Sequence, residues 1–282
     1  MPRTRCASVL STDSSVSRVA ESVPVESWQR WRETRAASLA SPDSWLGLIG
    51  LFWLEDGSNA VGSDPEAVVR LPDGPERLGH LECSGTRVVW HPAGGAAMPL
   101  ATDAGSVPTV VERVPFAFFV IERDGRLAVR LRDRGWAAKQ PFSGVDTFDY
   151  DPRWRIEAEW RSLVPPQVME VPNVSGDLKL VEVAWQAVFS VGGEEIALLP
   201  MSVSEGKVFF VFRDATSGCI SYGAGRFLDA APPRNGRIVL DFNFAYSPPC
   251  AFTPFATCPL PPPENWLPFA VEAGERKPAE NS

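Results

Sequence analysis

The sequence predicts a mainly β protein, built as a sandwich or barrel with one N-terminal helix and a proline-rich C-terminal segment that closes a pocket. Short apolar runs alternate with glycine-containing turns through most of the chain, and helical periodicity is confined to the region before residue 50. The 282 residues, 44% of them hydrophobic, suffice for a large core. Together these observations favour a β-rich barrel or sandwich.

The strongest helical pattern spans residues 24–40. Pro24 opens this stretch, Trp28 and Trp31 lie loosely on one face, and arginines surround them. Proline is favoured in the first turn of a helix, and the apolar spacing is that of a helix with one buried face. We therefore expect one main helix at this position.

Strands and hairpins are predicted for most of the remaining chain. Three residue pairs mark hairpin turns: Asp124-Gly125, Gly192-Gly193 and Asn235-Gly236. Such pairs accept the positive φ values that two-residue hairpins need. The predicted strands are 48–54, 68–71, 86–90, 116–122, 126–131, 183–191, 195–199, 207–212, 219–223 and 237–243.

The expected domain organisation is one β-rich domain over residues 22–277, with disordered tails at 1–21 and 278–282. The alternative is two joined lobes, 22–163 and 167–277, because Val164-Pro165-Pro166 is the most linker-like stretch.

Composition argues against several classes of function. The net charge is −8 and no basic stripe is present, so we expect no nucleic-acid partner. No apolar stretch reaches the roughly 18 residues of a membrane span. Five cysteines form a sparse, odd set, which is typical of a reducing compartment, and we expect a soluble cytoplasmic protein. No feature indicates an oligomeric state.

Metals and cofactors are not expected. The only histidines are His80 and His91, and Cys250 and Cys258 lie too far apart for a Cys-x-x-Cys site. A zinc site that joins His80 and Cys83 to the two later cysteines is a weaker alternative. The chain also lacks a complete dinucleotide or phosphate-binding fingerprint.

The candidate site lies in residues 211–277, where charged and amide side chains stand among glycines, prolines and aromatics. This composition predicts polar groups held in a rigid apolar frame, as a ligand pocket requires. The candidate catalytic residues are Tyr222, Arg226, Asp241 and Asn243, and the candidate substrate-binding residues are Asp214, Arg213 and Trp53.

The chemistry proposed for these residues starts from a buried ion pair between Arg226 and Asp241. The pair would orient Asn243 or Tyr222 toward a ligand. Arginine suits a carboxylate or carbonyl substrate, and a neighbouring Asp or Tyr can act as acid or base. The alternative is a structural network that ties down the proline-rich loop, with Asp214 capping its own turn.

Several phrases of the chain resemble a known family. They are GLFWLEDGSNAVGSDP, LRDR, FSGVDTFDYDPRWRIEAEW, RDATSG, YGAGRFL, LDFNFAYSPPCAFTPFATCPLPPPEN and AGE, all between residues 45 and 277. Over this range the chain resembles the bacterial, archaeal and fungal family named domain of unknown function 1684. One departure is Ser247, where the family pattern suggests Asn. The resemblance implies kinship and brings no activity with it.

Residues 59–90 have a fainter likeness to forkhead-associated domains, which bind phosphothreonine through loops on a β-sandwich. The likeness rests on Gly62-Ser63 and His80. Ser63 and Arg77 stand where those domains have arginine and serine. The likeness therefore implies a β-sandwich-like lobe more than it implies phosphopeptide binding.

The expected function is that of a small-molecule-pocket protein. As an enzyme it would work without a cofactor, by acid–base or electrostatic catalysis of hydrolysis, elimination, isomerisation or cyclisation on an apolar, oxygen-bearing substrate. The alternative is a non-catalytic binding module for a small ligand or, less strongly indicated, a phosphopeptide. A cavity lined by Tyr222, Arg226 or Asp241 would favour the enzyme.

Overall fold

The structure is a computed structural model, and it describes residues 20, 25–105, 107–136, 142 and 144–279. The predicted tail at 1–21 lies outside the described residues except for Ala20, as do residues 280–282 of the second tail.

The chain forms two compact units. One comprises Ser38–Phe142 and is called the insert unit here. The other combines Met1–Ala37 with Ser143–Ser282 and is called the main unit.

The predicted helix is confirmed as α1, Val25–Ala40. Its tryptophan face is packed as the periodicity requires. Trp28 is buried and donates its indole N–H to the Asn243 carbonyl at 3.1 Å. The Trp31 ring lies edge-on to that of Phe244, with centroids 5.3 Å apart. Within the described residues, no helix combines the length and apolar character that a membrane span requires.

The insert unit is built from two sheets, which confirms that this part of the chain is mainly β. Its strands are β1 (Leu48–Trp53), β2 (Gly57–Gly62), β3 (Val69–Arg70), β4 (Gly79–Ser84), β5 (Arg87–Pro92), β6 (Met98–Leu100), β7 (Val110–Arg113), β8 (Phe116–Arg123) and β9 (Arg126–Asp133). One sheet has the order β1-β9-β8-β7 and the other β3-β2-β4-β5-β6. A short 3-10 helix, Trp45–Gly47, precedes β1.

The core of the insert unit explains this architecture. Leu81, Trp90, Phe118 and Val129 are buried together, and each comes from a strand with alternating or continuous apolar residues. The β8–β9 hairpin turns at Asp124 and Gly125, whose φ values of 50° and 76° are those of the predicted turn type.

The main unit contains the other strands. They are β10 (Arg155–Pro172), β11 (Leu178–Val191), β12 (Glu194–Leu198), β13 (Ser202–Val203), β14 (Val208–Phe212), β15 (Arg226–Ala230) and β16 (Arg237–Asp241). They form one sheet in the order β12-β11-β10-β16 and another in the order β13-β14-β15. Ile156, Phe210, Phe212, Leu240 and Phe242 lie at the centre of its core.

Two local predictions for the main unit are wrong. The Val164-Pro165-Pro166 stretch is no linker, because it lies inside β10 at an irregularity between Ser162 and Gln167. Residues 219–223 form no strand, and β14 pairs with β15 instead. A run of turn hydrogen bonds onto the Thr216 carbonyl, from the backbone N–H groups of residues 219–221, holds that segment out of the sheet.

The proline-rich segment lies along the end of β10. The Leu260 N–H donates to the Pro172 carbonyl at 2.7 Å, and Pro259 bridges to Asn173. Asn265 anchors the residues that follow: its buried amide exchanges hydrogen bonds with the backbone of Leu199 and donates to the Val211 carbonyl at 2.9 Å. The segment therefore serves the packing of the main unit.

Candidate functional site

Arg226 is fully buried in the main unit, and its guanidinium is used almost entirely for structure. Its Nη2 donates to Asp214 Oδ2 at 3.1 Å and to the Val271 carbonyl at 2.9 Å. Its Nη1 donates to the Ala273 carbonyl. Its Nε has no hydrogen-bond partner within the described residues, and burial lowers the pKa of the guanidinium despite the charge of Asp214.

Asp214 completes this network. Its carboxylate accepts hydrogen bonds from the hydroxyls of Thr216 and Ser217 and from the Val271 N–H at 2.6 Å. These donors come from its own turn and from a distant loop, so Asp214 closes the Asp-x-Thr-Ser turn and also neutralises Arg226. A carboxylate with so many protein donors has little capacity left for a substrate.

Asp241 belongs to a second, separate network. It pairs with Arg155, whose Nη1 lies 2.9 Å from Asp241 Oδ2. Asn243 is buried in the 3-10 helix Phe242–Phe244, which Asp241 caps by accepting from the Asn243 N–H. The Asn243 amide exchanges hydrogen bonds with the backbone of Asp151, at 2.9 Å in each direction.

The hypothesis of an Arg226–Asp241 pair is therefore wrong. The antiparallel register of β10 and β16 places Asp241 directly opposite Arg155, while the Arg226 guanidinium donates to the carbonyls of Val271 and Ala273. The placement of these residues favours the structural alternative for Arg226, Asp214, Asp241 and Asn243.

Tyr222 lies beside two cysteines. Its hydroxyl donates to the Cys250 carbonyl at 2.9 Å, and the Cys250 N–H donates to Cys258 Sγ at 3.3 Å. Burial and the neighbouring Cys250 raise the pKa of Tyr222. A hydrogen bond from the Cys258 thiol lowers the pKa of Cys250, against the opposing effect of burial, and Tyr222 adds to the lowering.

Three cysteines, Cys83, Cys250 and Cys258, are free thiols. Cys250 is half-buried and Cys258 is buried, so Cys250 is the thiol of this pair that solvent reaches more readily.

The two remaining candidates make stacking contacts. The Arg213 guanidinium lies over the Trp266 ring, 4.8 Å from its centroid. Trp53 belongs to the insert unit, where its ring lies 4.0 Å from the guanidinium carbon of Arg126. Neither contact marks an enclosed site by itself.

A polar cavity of about 550 Å³ lies in the main unit. Residues 144–147, Glu275 and one face of α1 line it, and that face contributes Gln29, Trp31, Arg32, Glu33, Arg35 and Ala36. None of the four predicted catalytic residues belongs to this lining.

Arg35 is held in this cavity by two hydrogen bonds and two aromatic rings. Its Nε donates to Glu275 Oε1 at 2.8 Å, and its Nη2 donates to the Ser247 carbonyl at 2.8 Å. Its guanidinium carbon lies 4.9 Å from the Tyr246 ring centroid and 5.7 Å from that of Phe252. The Nη1 group has no hydrogen-bond partner within the part of the chain that the structure describes.

Glu275 holds Arg35 from a buried position, with only 1% of its side chain exposed. Its second oxygen accepts from the Ser247 N–H at 2.7 Å. Because the backbone of residue 247 makes this contact, it does not depend on the Ser247 side chain.

Sequence reasoning missed Arg35, because its partner Glu275 lies 240 residues away. The available signal was the family phrase AGE, whose glutamate ends a hydrophobic segment with no local partner. A buried glutamate requires a counter-charge, and an arginine on the inner side of α1 could supply it.

The comparisons with known proteins agree with the sequence resemblance. The family described as "Protein of unknown function (DUF1684)" matches residues 140–276. A solution NMR structure of an uncharacterized protein from Haloarcula marismortui is 36% identical, over 50% of this chain and 80% of that one, with a TM-score of 0.41. No curated protein matches the chain.

Proposed function

The chain belongs to the family of proteins of unknown function DUF1684, and we propose that it binds a small polar molecule in the cavity beside α1. The observation that supports this is the state of Arg35. Its guanidinium is fixed by Glu275, by the Ser247 carbonyl and by two aromatic rings, yet Nη1 keeps its N–H groups for another partner.

Fixing a charged group before the ligand arrives favours affinity, because the ordering cost is met during folding. Arginine offers two parallel N–H donors to a carboxylate or phosphate, and its weak hydration suits a partly enclosed position. A cavity of about 550 Å³ lies within the usual range for small-ligand sites.

The charges of the lining define the ligand further. Arg35 is balanced by Glu275, so the remaining charges are those of Arg32, Glu33 and Asp146. The surplus of carboxylates excludes a ligand that is anionic at every end. The ligand we propose carries one acidic group for Arg35 and a cationic or hydroxyl donor for Glu33 or Asp146, as amino acids and sugar acids do. Because this lining is polar, we propose a polar ligand in place of the apolar, oxygen-bearing substrate expected from the sequence.

Of the two classes considered, the geometry favours a binding protein over an acid–base enzyme. The carboxylate of Asp214, the guanidinium of Arg226 and the amide of Asn243 are engaged by protein partners. Enzymatic function stays a second candidate because of Cys250, whose thiol pKa is lowered by the Cys258 thiol and, to a smaller extent, by the Tyr222 hydroxyl.

We also propose that the protein is cytoplasmic and that it has no nucleic-acid partner. The net charge of −8 supports the second part, because phosphate backbones attract basic surfaces.

The test is a binding screen with the full chain against amino acids, hydroxy acids, sugar acids and sugar phosphates, followed by calorimetry on each hit. Arg35→Lys keeps the charge but loses the fork, and should weaken binding by about tenfold or more. Arg35→Gln should abolish it. The matched control is Arg30→Gln, because Arg30 is exposed on the same helix and lies outside the cavity lining.

Equal losses for Arg30→Gln and Arg35→Gln would show that only general charge matters. Binding that survives Arg35→Gln, or a screen without any hit, would refute the proposed site.

A further inference from the structure

We propose that the insert unit binds a divalent transition-metal ion between His80 and His91. These two residues are the only histidines of the chain, and they lie opposite each other on the antiparallel strands β4 and β5. Their rings are parallel to within 1°, with centroids 4.7 Å apart.

The two imidazoles have the properties of ligands more than of structural groups. Both side chains are half-buried. Neither makes a hydrogen bond within the described residues, so no protein partner occupies their ring nitrogens there. A structural histidine ordinarily has its N–H satisfied by a carbonyl or carboxylate. For both to bind one ion, the rings would rotate out of their stack about the side-chain dihedral angles, because the in-plane lone pairs of parallel rings do not converge.

The surroundings favour a cation. The pair lines a cavity of about 530 Å³ that also receives Asp64, Glu66 and Glu76, with Arg77 as its one basic residue. This surplus of negative charge attracts a metal ion and repels a phosphate group. It also argues against the phosphopeptide binding considered for residues 59–90.

The chemistry of the donors defines the class of metal. Neutral imidazole suits copper, nickel and zinc, and two nitrogens favour Cu²⁺ most strongly in the divalent series. Within the described residues no third ligand joins the two histidines in a preformed cluster. Water would therefore fill the other positions, which leaves the ion open to a further ligand. This inference departs from the expectation, drawn from ligand spacing in the sequence, that no metal is bound.

The experiment is a titration of the full chain with Ni²⁺ and Cu²⁺, followed by calorimetry and by electron paramagnetic resonance of the Cu²⁺ complex. A background variant with all five cysteines changed to Ser removes competing thiols. We expect one ion per chain and a signal from two imidazole nitrogens. Loss of a second-sphere partner alone costs roughly 10–100-fold in metal affinity, so His80→Ala or His91→Ala should cost at least about tenfold.

The control is Glu66→Gln, which removes a cavity carboxylate and leaves both imidazoles. It should weaken Ni²⁺ binding less than either histidine variant does. His80→Gln, with a circular dichroism spectrum and a melting curve, checks that the loss is not unfolding. Unchanged affinity in either histidine variant, a signal from one nitrogen, or an equal loss in Glu66→Gln would overturn the proposal.

Discussion

The guanidinium of Arg226 lies 3.1 Å from the carboxylate of Asp214, and the side chains of both residues are completely buried. Removing one partner of a buried ion pair is strongly destabilising, because the other charge is left unpaired in surroundings that solvate it poorly. The carbonyls of Val271 and Ala273 share in satisfying Arg226, so the pair fixes the C-terminal loop to β15.

Asp214→Asn should therefore lower the free energy of unfolding by about 3–5 kcal/mol, because Arg226 stays buried without its counter-charge. Urea denaturation followed by tryptophan fluorescence measures this loss. Lys207→Gln, which breaks the exposed pair with Asp229, should change stability little. Similar effects for the two variants would contradict a special role for the buried pair.

The two networks of the main unit should also act independently. Asp214 accepts hydrogen bonds from Arg226 and the Val271 N–H, whereas Asp241 accepts from Arg155 and the Asn243 N–H. The losses of unfolding free energy from Arg226→Lys and Asp241→Asn should add to within about 0.5 kcal/mol in the double variant. A coupling energy of more than about 1 kcal/mol would instead support the direct Arg226–Asp241 pair that the sequence suggested.

Local features of this fold could be predicted from sequence, and long-range pairings could not. Asn235 and Gly236 adopt φ values of 51° and 71°, as their turn chemistry requires, since a two-residue turn is decided by its own residues. The partner of Arg226 depends on how a loop 45 residues further along folds back onto β15. Asp214 and Asp241 are equally plausible partners in the sequence, and only the packing of the loop decides between them.

The cysteines should differ sharply in reactivity. Burial, with Asp56 and Glu82 nearby, raises the pKa of Cys83 to about 11, whereas the hydrogen bond from Cys258 lowers that of Cys250. Because the thiolate is the reactive form, iodoacetamide at neutral pH should label Cys250 well before Cys83. Mass spectrometry of timed digests measures the order.

Tyr222→Phe should slow the labelling of Cys250, since the tyrosine contributes to lowering the pKa of the Cys250 thiol. The labelling of Cys83 serves as the internal reference. Equal rates for the two cysteines would contradict the difference in their pKa values. An unchanged Cys250 rate in Tyr222→Phe would contradict the role assigned to Tyr222.

Acid should weaken the insert unit through Asp103. Both carboxylate oxygens accept from Arg123, at 2.9 and 2.8 Å, and the Glu122 N–H donates at 3.0 Å. Burial alone would raise the pKa of Asp103, but the hydrogen bonds from Arg123 and Glu122 and the charge of Arg123 together lower it.

A depressed pKa contributes stability above the unfolded pKa of about 4, and this contribution is lost as pH falls through the folded value. The difference in unfolding free energy between the wild type and Asp103→Asn should thus be constant near neutral pH and shrink below about pH 4. Denaturation at a series of pH values measures it. A difference that is independent of pH would rule out the ion pair as its source.

Gly274, in the phrase AGE, should tolerate no side chain. Its φ is +77°, and an added Cβ would lie 2.4 Å from the Ala245 carbonyl oxygen and 2.8 Å from that of Phe242. The matched control is Gly236, whose φ of +71° carries a similar backbone cost but whose Cβ would meet no atom within 4 Å. Gly236→Ala should lower the unfolding free energy by about 1 kcal/mol, the usual cost of a left-handed non-glycine residue. Gly274→Ala should lower the unfolding free energy clearly more, because the backbone atoms that its Cβ would meet cannot move aside as a flexible side chain can.

Gly274→Ala should also weaken the binding of any ligand found for the cavity, since Gly274 positions Glu275 and, through it, Arg35. Equal melting temperatures for the two variants would show that the nearby backbone is not the reason why residue 274 must be glycine.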